Sequence, residues 1–173
     1  MGFSVLVGTI LLWSASSSSA SEVGCQPTDP TTAPVQVPWH GTNPIGGEVA
    51  WYGSESIAVL LPLDGVWPVM DRERNFGNKL WFWSKDWSHE EEPVPALKLE
   101  AYELADANLR GQTTPHTHGF GEGWSAMLTG LAFPASGCWR VTAEYRGSEV
   151  TFVTLVADAT DAWTKAGVGR AEP

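Results

Sequence analysis

From Cys138 to Val156 the side chains alternate with a two-residue period around one short turn, and this pattern constrains the fold more than any other in the chain. Trp139, Val141, Ala143 and Tyr145 share one parity, and Cys138, Arg140, Thr142 and Glu144 the other. Successive strand residues point to opposite sides of a sheet, so the segment reads as a strand with one buried face. Arg146-Gly147-Ser148 supplies the turn, and Glu149 to Val156, rich in Val, Thr and Phe, supplies the returning strand. Shorter runs of the same kind lie upstream. Ile57 to Leu61 and Val66 to Met70 flank the turn signal Pro62-Leu63-Asp64-Gly65 and are expected to pair as a hairpin. Lys79 to Trp83 reads as a further strand. Leu97, Leu99 and Ala101 alternate with Lys98, Glu100 and Tyr102, which predicts a strand with one wet side. Trp124 to Phe133 is apolar on both parities and ends at Pro134, as a central strand covered on both faces would. After the leader, no segment carries a 3.6-residue apolar stripe. The chain is therefore expected to be all-β, with about seven short strands between Gly/Pro turns forming an antiparallel β-sandwich over residues 51–157.

The ends read differently. Phe3 to Trp13 is an apolar run of signal-peptide length, short of the roughly 20 residues a bilayer span needs. A Ser/Ala stretch follows, and cleavage is expected after Ala20, making residues 1–20 a signal peptide, although its first residues carry no Lys or Arg. No later segment reads as a membrane span. Residues 21–50 contain Pro27, Pro30, Pro34, Pro38 and Pro44, which fix an extended segment rather than a helix. Residues 158–173 lose the alternation and are expected to form a flexible tail. Export to a periplasmic or extracellular compartment lets Cys25 and Cys138 pair, and two cysteines allow a single intramolecular bridge. The competing reading makes Cys25 the lipidated residue of an anchored lipoprotein. Gly24 suits that reading; Glu22, where an aliphatic residue belongs, and the distance from the apolar run do not. A free thiol at Cys138 would distinguish the two.

The stretch Phe133 to Val156, FPASGCWRVTAEYRGSEVTFVTLV, resembles the C-terminal hairpin of a group of uncharacterised secreted bacterial proteins with immunoglobulin-like sandwiches. There an F-P-x-x-G-C-W-x-V-T strand is followed by a short Gly turn and an L-T-F-V strand. Cys25 behind the leader, the run Gly53 to Leu61 before an Asp-Gly turn, the Trp-rich Lys79 to Trp83 and the segment Leu97 to Arg110 are also similar. The resemblance implies an immunoglobulin-like all-β fold and supports pairing of Cys25 with Cys138. It carries no activity. The acidic insert His89 to Glu92 and the longer tail depart from the pattern.

Ten Lys+Arg stand against 20 Asp+Glu, a net charge of -10, which repels nucleic-acid and anionic lipid surfaces. With 43% hydrophobic and 17% charged residues, the chain is too apolar for a disordered acidic tail. Three constellations remain. Trp81 and Trp83 share one side of a strand, joined by Trp87 only if the strand runs on. Exposed indoles stack on sugar faces, with Asp86 placed to hold hydroxyls; core packing is the competing use of each, and Trp139 is expected in the core against the disulfide. His116 and His118 face the same way in an extended segment and are the pair a zinc or copper site would start from. Such a site needs a third or fourth ligand such as His40, His89 or Glu122. Glu90-Glu91-Glu92 offers carboxylates, but adjacent glutamates repel and stay in water, and glycoside hydrolysis needs two placed across a cleft. The His-Glu-x-x-His spacing, a nucleophile elbow and a phosphate-binding glycine loop are all missing. The expectation is an extracytoplasmic binding or interaction module without catalytic activity or cofactor, its partner a protein or glycan surface. A metal-binding protein using His116 and His118, and a carbohydrate-binding domain using Trp81, Trp83 and Trp87, are the alternatives.

Overall fold

The computed structural model describes residues 24–38, 47–68, 78–121 and 124–157. Residues 1–20 and 158–173, expected to be a signal peptide and a flexible tail, lie outside the described residues, as do His40 and Glu122. Ten strands are described: β1 (Val49–Gly53), β2 (Ala58–Pro62), β3 (Val66–Pro68), β4 (Asn78–Trp83), β5 (Lys98–Glu103), β6 (Gln112–Thr113), β7 (Thr117–Gly121), β8 (Trp124–Ala132), β9 (Gly137–Tyr145) and β10 (Ser148–Ala157). The fold is all-β; the one helical element among the described residues is a 3-10 turn at Pro30–Thr32. A six-stranded sheet runs β1-β2-β4-β8, with β6 and β7 both pairing along the far edge of β8. A four-stranded sheet runs β3-β10-β9-β5. All pairings are antiparallel except that of β3 with β10.

The β9–β10 hairpin follows the alternation. Ser148 sits opposite Tyr145, leaving Arg146 (φ 48°) and Gly147 (φ 82°) as a two-residue loop with positive φ at both positions. That geometry matches the strand twist, and glycine adopts it without strain. Trp139, Val141, Ala143 and Tyr145 are buried in the core, where they meet Val150, Phe152 and Val156 of β10. On the outer face the Thr142 and Thr151 hydroxyls bond across the strands at 2.9 Å, and Lys98 pairs with Glu144 at 2.8 Å. Ala101 of β5 and Leu97 just before it enter the core, while Lys98 and Glu100 stay exposed. β8 is buried on both parities from Ala126 to Thr129, as its composition predicts.

One pairing differs from the sequence expectation. The turn at 62–65 forms, with Gly65 N donating to Pro62 O at 3.1 Å and Val66 N to the Asp64 carboxylate at 3.0 Å. The strands it joins do not pair. Both edges of β2 are occupied by β1 and β4, so β3 crosses to the other sheet and lies parallel to β10, Val66 opposite Leu155. This crossing buries Trp67 against Phe152 and Phe133. Residues of both sheets build a single core, with Val59, Leu80, Phe82, Met127 and Leu131 from one and Trp67, Trp139, Val141 and Phe152 from the other.

The N-terminal segment straps the two sheets together. Cys25 bonds Cys138 on the outer face of the small sheet, with Cα atoms 5.4 Å apart, so the lipidated-cysteine alternative loses its free thiol. Thr28 then exchanges two hydrogen bonds with Val153, at 2.8 and 2.9 Å. Asp29 caps the 3-10 turn through Thr31 N at 2.8 Å. Beyond it, Val35 N donates to Trp51 O and Gly53 N to Ala33 O, both at 3.0 Å, which covers the β1 edge. Cys138 and Trp139 are consecutive and so face opposite sides of β9. The Trp139 indole therefore packs on Phe133, centroids 5.0 Å apart, and donates to Ala135 O at 3.2 Å; the expected packing on the disulfide gives way to that alternation.

Candidate functional site

The six-stranded sheet is apolar on both faces. Leu80 and Phe82 point into the core, so Trp81 and Trp83 of β4 point outward. β2 contributes Ala58 and Leu60 to the outer side, β1 Trp51, and β8 Trp124 and Ala126. Val35 and Val37 of the strap lie against part of this cluster. Trp51 is buried at 9% exposure, whereas Trp81, Trp83 and Trp124 are half-buried. The Trp81 and Trp124 rings meet at 6.2 Å with a 46° tilt. Gly119 of β7 makes room for this arrangement: a Cβ there would sit 2.8 Å from both the Trp81 ring and the Leu128 side chain.

Beside these rings an open cleft of about 440 Å³ lies between the end of β4 and the start of β8. Trp83 and Trp124 line it together with Trp87 and Pro38, and its polar lining comes from Lys85, Ser88, His89, Glu90 and Ser125. The segment after β4 forms one wall. Its first residue, Ser84, is buried and accepts a hydrogen bond from Asp86 N at 3.1 Å. Lys85 N donates to Glu55 O at 2.9 Å. Trp87 is not part of β4; it folds back with 6% exposure, and its indole N–H donates to Glu92 O at 3.1 Å. Of the four residues singled out as a platform, Trp83 and Trp87 line the cleft. Trp81 lies beside it against Trp124, and the Asp86 carboxylate turns to Lys85, 2.7 Å away.

A carboxylate from the acidic run holds this wall from behind. Glu90 and Glu91 are exposed, as expected, but Glu92 turns inward. Its Oε2 accepts from the Tyr145 hydroxyl at 2.6 Å and from Arg146 at 3.0 Å, and its Oε1 accepts from Ala96 N. Arg146 also donates to Asp86 O at 2.7 Å. Burial pushes the Glu92 carboxyl up, yet these bonds and the guanidinium charge outweigh it and hold the group below its ordinary value. Burial, and then the neighbouring Glu92, drive the Tyr145 phenol well above its ordinary value.

The histidines assemble differently from a metal centre. His118 of β7 places Nδ1 2.8 Å from Pro93 O, and His89 stacks on it with centroids 5.3 Å apart. His116 is half-buried, its Nδ1 without a hydrogen-bond partner. Burial lowers its pKa, against the smaller opposite pull of a hydrogen bond to the Leu97 backbone. Among the described residues no three His, Cys, Asp or Glu side chains converge as ligands. No helix there is long and apolar enough to cross a membrane.

Sequence reasoning does not single out Trp124, and it reads Glu92 with Glu90 and Glu91 as a solvated carboxylate. Trp124 opens a strand whose two parities are both apolar, so its outward direction follows only from the β4–β8 register, in which Phe82 faces Met127. Glu92 acts through Tyr145 and Arg146, more than fifty residues away, and no local pattern connects them. Comparison with protein-family models, with curated proteins and with solved structures finds no match.

Proposed function

We propose that the chain is an exported, immunoglobulin-like β-sandwich that binds rather than catalyses, and that it meets its ligand at the tryptophan cleft. One observation carries this reading: two partly exposed indoles, Trp83 and Trp124, line an open cleft on the outer side of the six-stranded sheet. Neither belongs to the core between the sheets; both pack at the margin of the outer cluster of Trp51, Ala58, Leu60 and Ala126. Aromatic side chains at a rim where polar groups begin are the usual anchors of recognition, because they bury large areas at little entropic cost. The disulfide Cys25–Cys138 supports an oxidising compartment, periplasmic or extracellular. The C-terminal hairpin supports kinship with secreted immunoglobulin-like proteins.

The test is a solid-phase screen of the full chain and of its Trp83→Ser/Trp124→Ser variant against immobilised glycans and peptides. The expected result is retention on one ligand class, weakened at least tenfold in the variant. Equal retention of both proteins, or retention of neither, contradicts the reading.

A further inference from the structure

The cleft joins two unlike kinds of surface, and together they define a ligand chemistry. Trp83 and Trp124 present aromatic faces; around them stand the hydroxyls of Ser88 and Ser125, the His89 imidazole and the Glu90 carboxylate. A purely apolar ligand would cover the indoles and strip water from polar groups that it cannot satisfy, which costs more than the contact returns. A pyranose ring matches both, with C–H groups on its flat faces and hydroxyls around its rim. Charge decides among sugars. The cation lining the cleft, Lys85, is already engaged by both oxygens of the Asp86 carboxylate, at 2.7 and 2.8 Å. Glu90 adds a negative charge to the lining, and the chain as a whole carries -10. A polyanionic ligand, such as a uronate, a sulfated sugar or a phosphate, would approach against that field. The cleft is also fixed in advance. Trp87 is tied to Glu92, and Asp86 O to Arg146, so little of the wall's freedom is lost when a ligand arrives.

We infer that the cleft binds a neutral oligosaccharide, with a sugar face laid on Trp83 and Trp124 and ring hydroxyls bonded to the polar lining. This rests on the binding reading above. Its volume of about 440 Å³ falls in the range of small-ligand sites, roughly 300–1,000 Å³, and its open form suits a segment of a longer glycan chain.

The experiment titrates the disulfide-bonded chain with a panel of neutral gluco-, xylo- and manno-oligosaccharides, with oligogalacturonate and with a proline-rich decapeptide. Indole N–H resonances and heat are read. A neutral oligosaccharide is expected to shift the Trp83 and Trp124 signals while leaving Trp67 and Trp139 in place. Its affinity is expected to change less than twofold between low and high salt, and to drop at least tenfold in Trp124→Ala. Trp83→Phe, which keeps an aromatic ring on the sheet, is expected to retain measurable binding. Binding of the galacturonate with steep salt dependence overturns the neutral-ligand inference. Binding of the peptide through the same two indoles overturns the sugar and leaves the binding module standing. Silence of every neutral sugar, while the solid-phase screen retains the chain on another class, likewise sinks the sugar alone.

Discussion

Replacing Cys25 and Cys138 together by serine is expected to lower the unfolding free energy by about 4–5 kcal/mol, the entropy a long closed loop removes from the unfolded chain. The bridge spans 113 positions, nearly the whole described fold. For a domain of this size, such a loss lowers Tm by roughly 10–15 °C. The structural consequence is local first. Without its covalent anchor the strap depends on the two Thr28–Val153 bonds, on Val35 and Ala33 against β1, and on the packing of Val35 and Val37 over the outer tryptophan cluster. Amides of residues 28–35 should then exchange orders of magnitude faster, while those of β8 keep the protection of the global fold. Because Pro38 lines the cleft, the same variant should also weaken ligand binding. A loss under 1 kcal/mol, with strap amides as protected as before, would show that the strap is held by its own contacts.

Glu92→Ala is expected to cost about 2–4 kcal/mol. The substitution leaves the buried Tyr145 hydroxyl without its acceptor and removes a charge-assisted bond from Arg146 and one from Ala96 N, each worth on the order of 1–3 kcal/mol. The figure sits below that of a fully buried pair because the Glu92 side chain is 20% exposed and Arg146 is 53% exposed. Glu92→Gln keeps an acceptor for Tyr145 and should cost about half as much. Acid reads the same contacts without mutation. Glu92 is held below its ordinary value of 4.5 in the fold, so its contribution is complete above that value and is lost as pH falls through the lower, folded-state pKa. His116, depressed by burial from 6.5, also favours the fold while neutral; protonation in the unfolded chain begins to draw stability away below that pH. Urea unfolding from pH 8 to pH 3 should therefore show two declines. The upper one is absent in His116→Asn and the lower one is reduced in Glu92→Gln. A profile unchanged by either substitution would remove these groups from the account.

The local features were legible because each is written in a few consecutive residues. Alternation at 138–156 gives the hairpin and the faces of its side chains, and apolar residues on both parities give β8 its central place. What required the structure is non-local. Nothing near Pro62-Leu63-Asp64-Gly65 says that both edges of β2 are taken and that β3 must cross to β10. A tryptophan can fill a core or offer a platform. Alternation marks Trp139 for the core, but no local pattern separates the buried Trp67 from Trp83 and Trp124, which face outward; the sheet pairing does. The sequence joins Trp87 to Trp81 and Trp83 only if the strand runs on; β4 ends at Trp83, and Trp87 folds inward yet lines the cleft with Trp83. Glu92 was read with its two solvated neighbours because the groups that capture it come from the distant β9–β10 turn.

The central claim is that Trp83 and Trp124 line a ligand cleft while Trp67 and Trp139 are committed to the core. Limited oxidation of the native chain with N-bromosuccinimide, with each tryptophan followed by peptide mass spectrometry, tests it without knowledge of the ligand. Trp83 and Trp124 should be modified first, at least tenfold ahead of Trp67 and Trp139, with circular dichroism unchanged. Modification of Trp83 and Trp124 only at the rate of Trp139, or only as the fold is lost, would contradict the account.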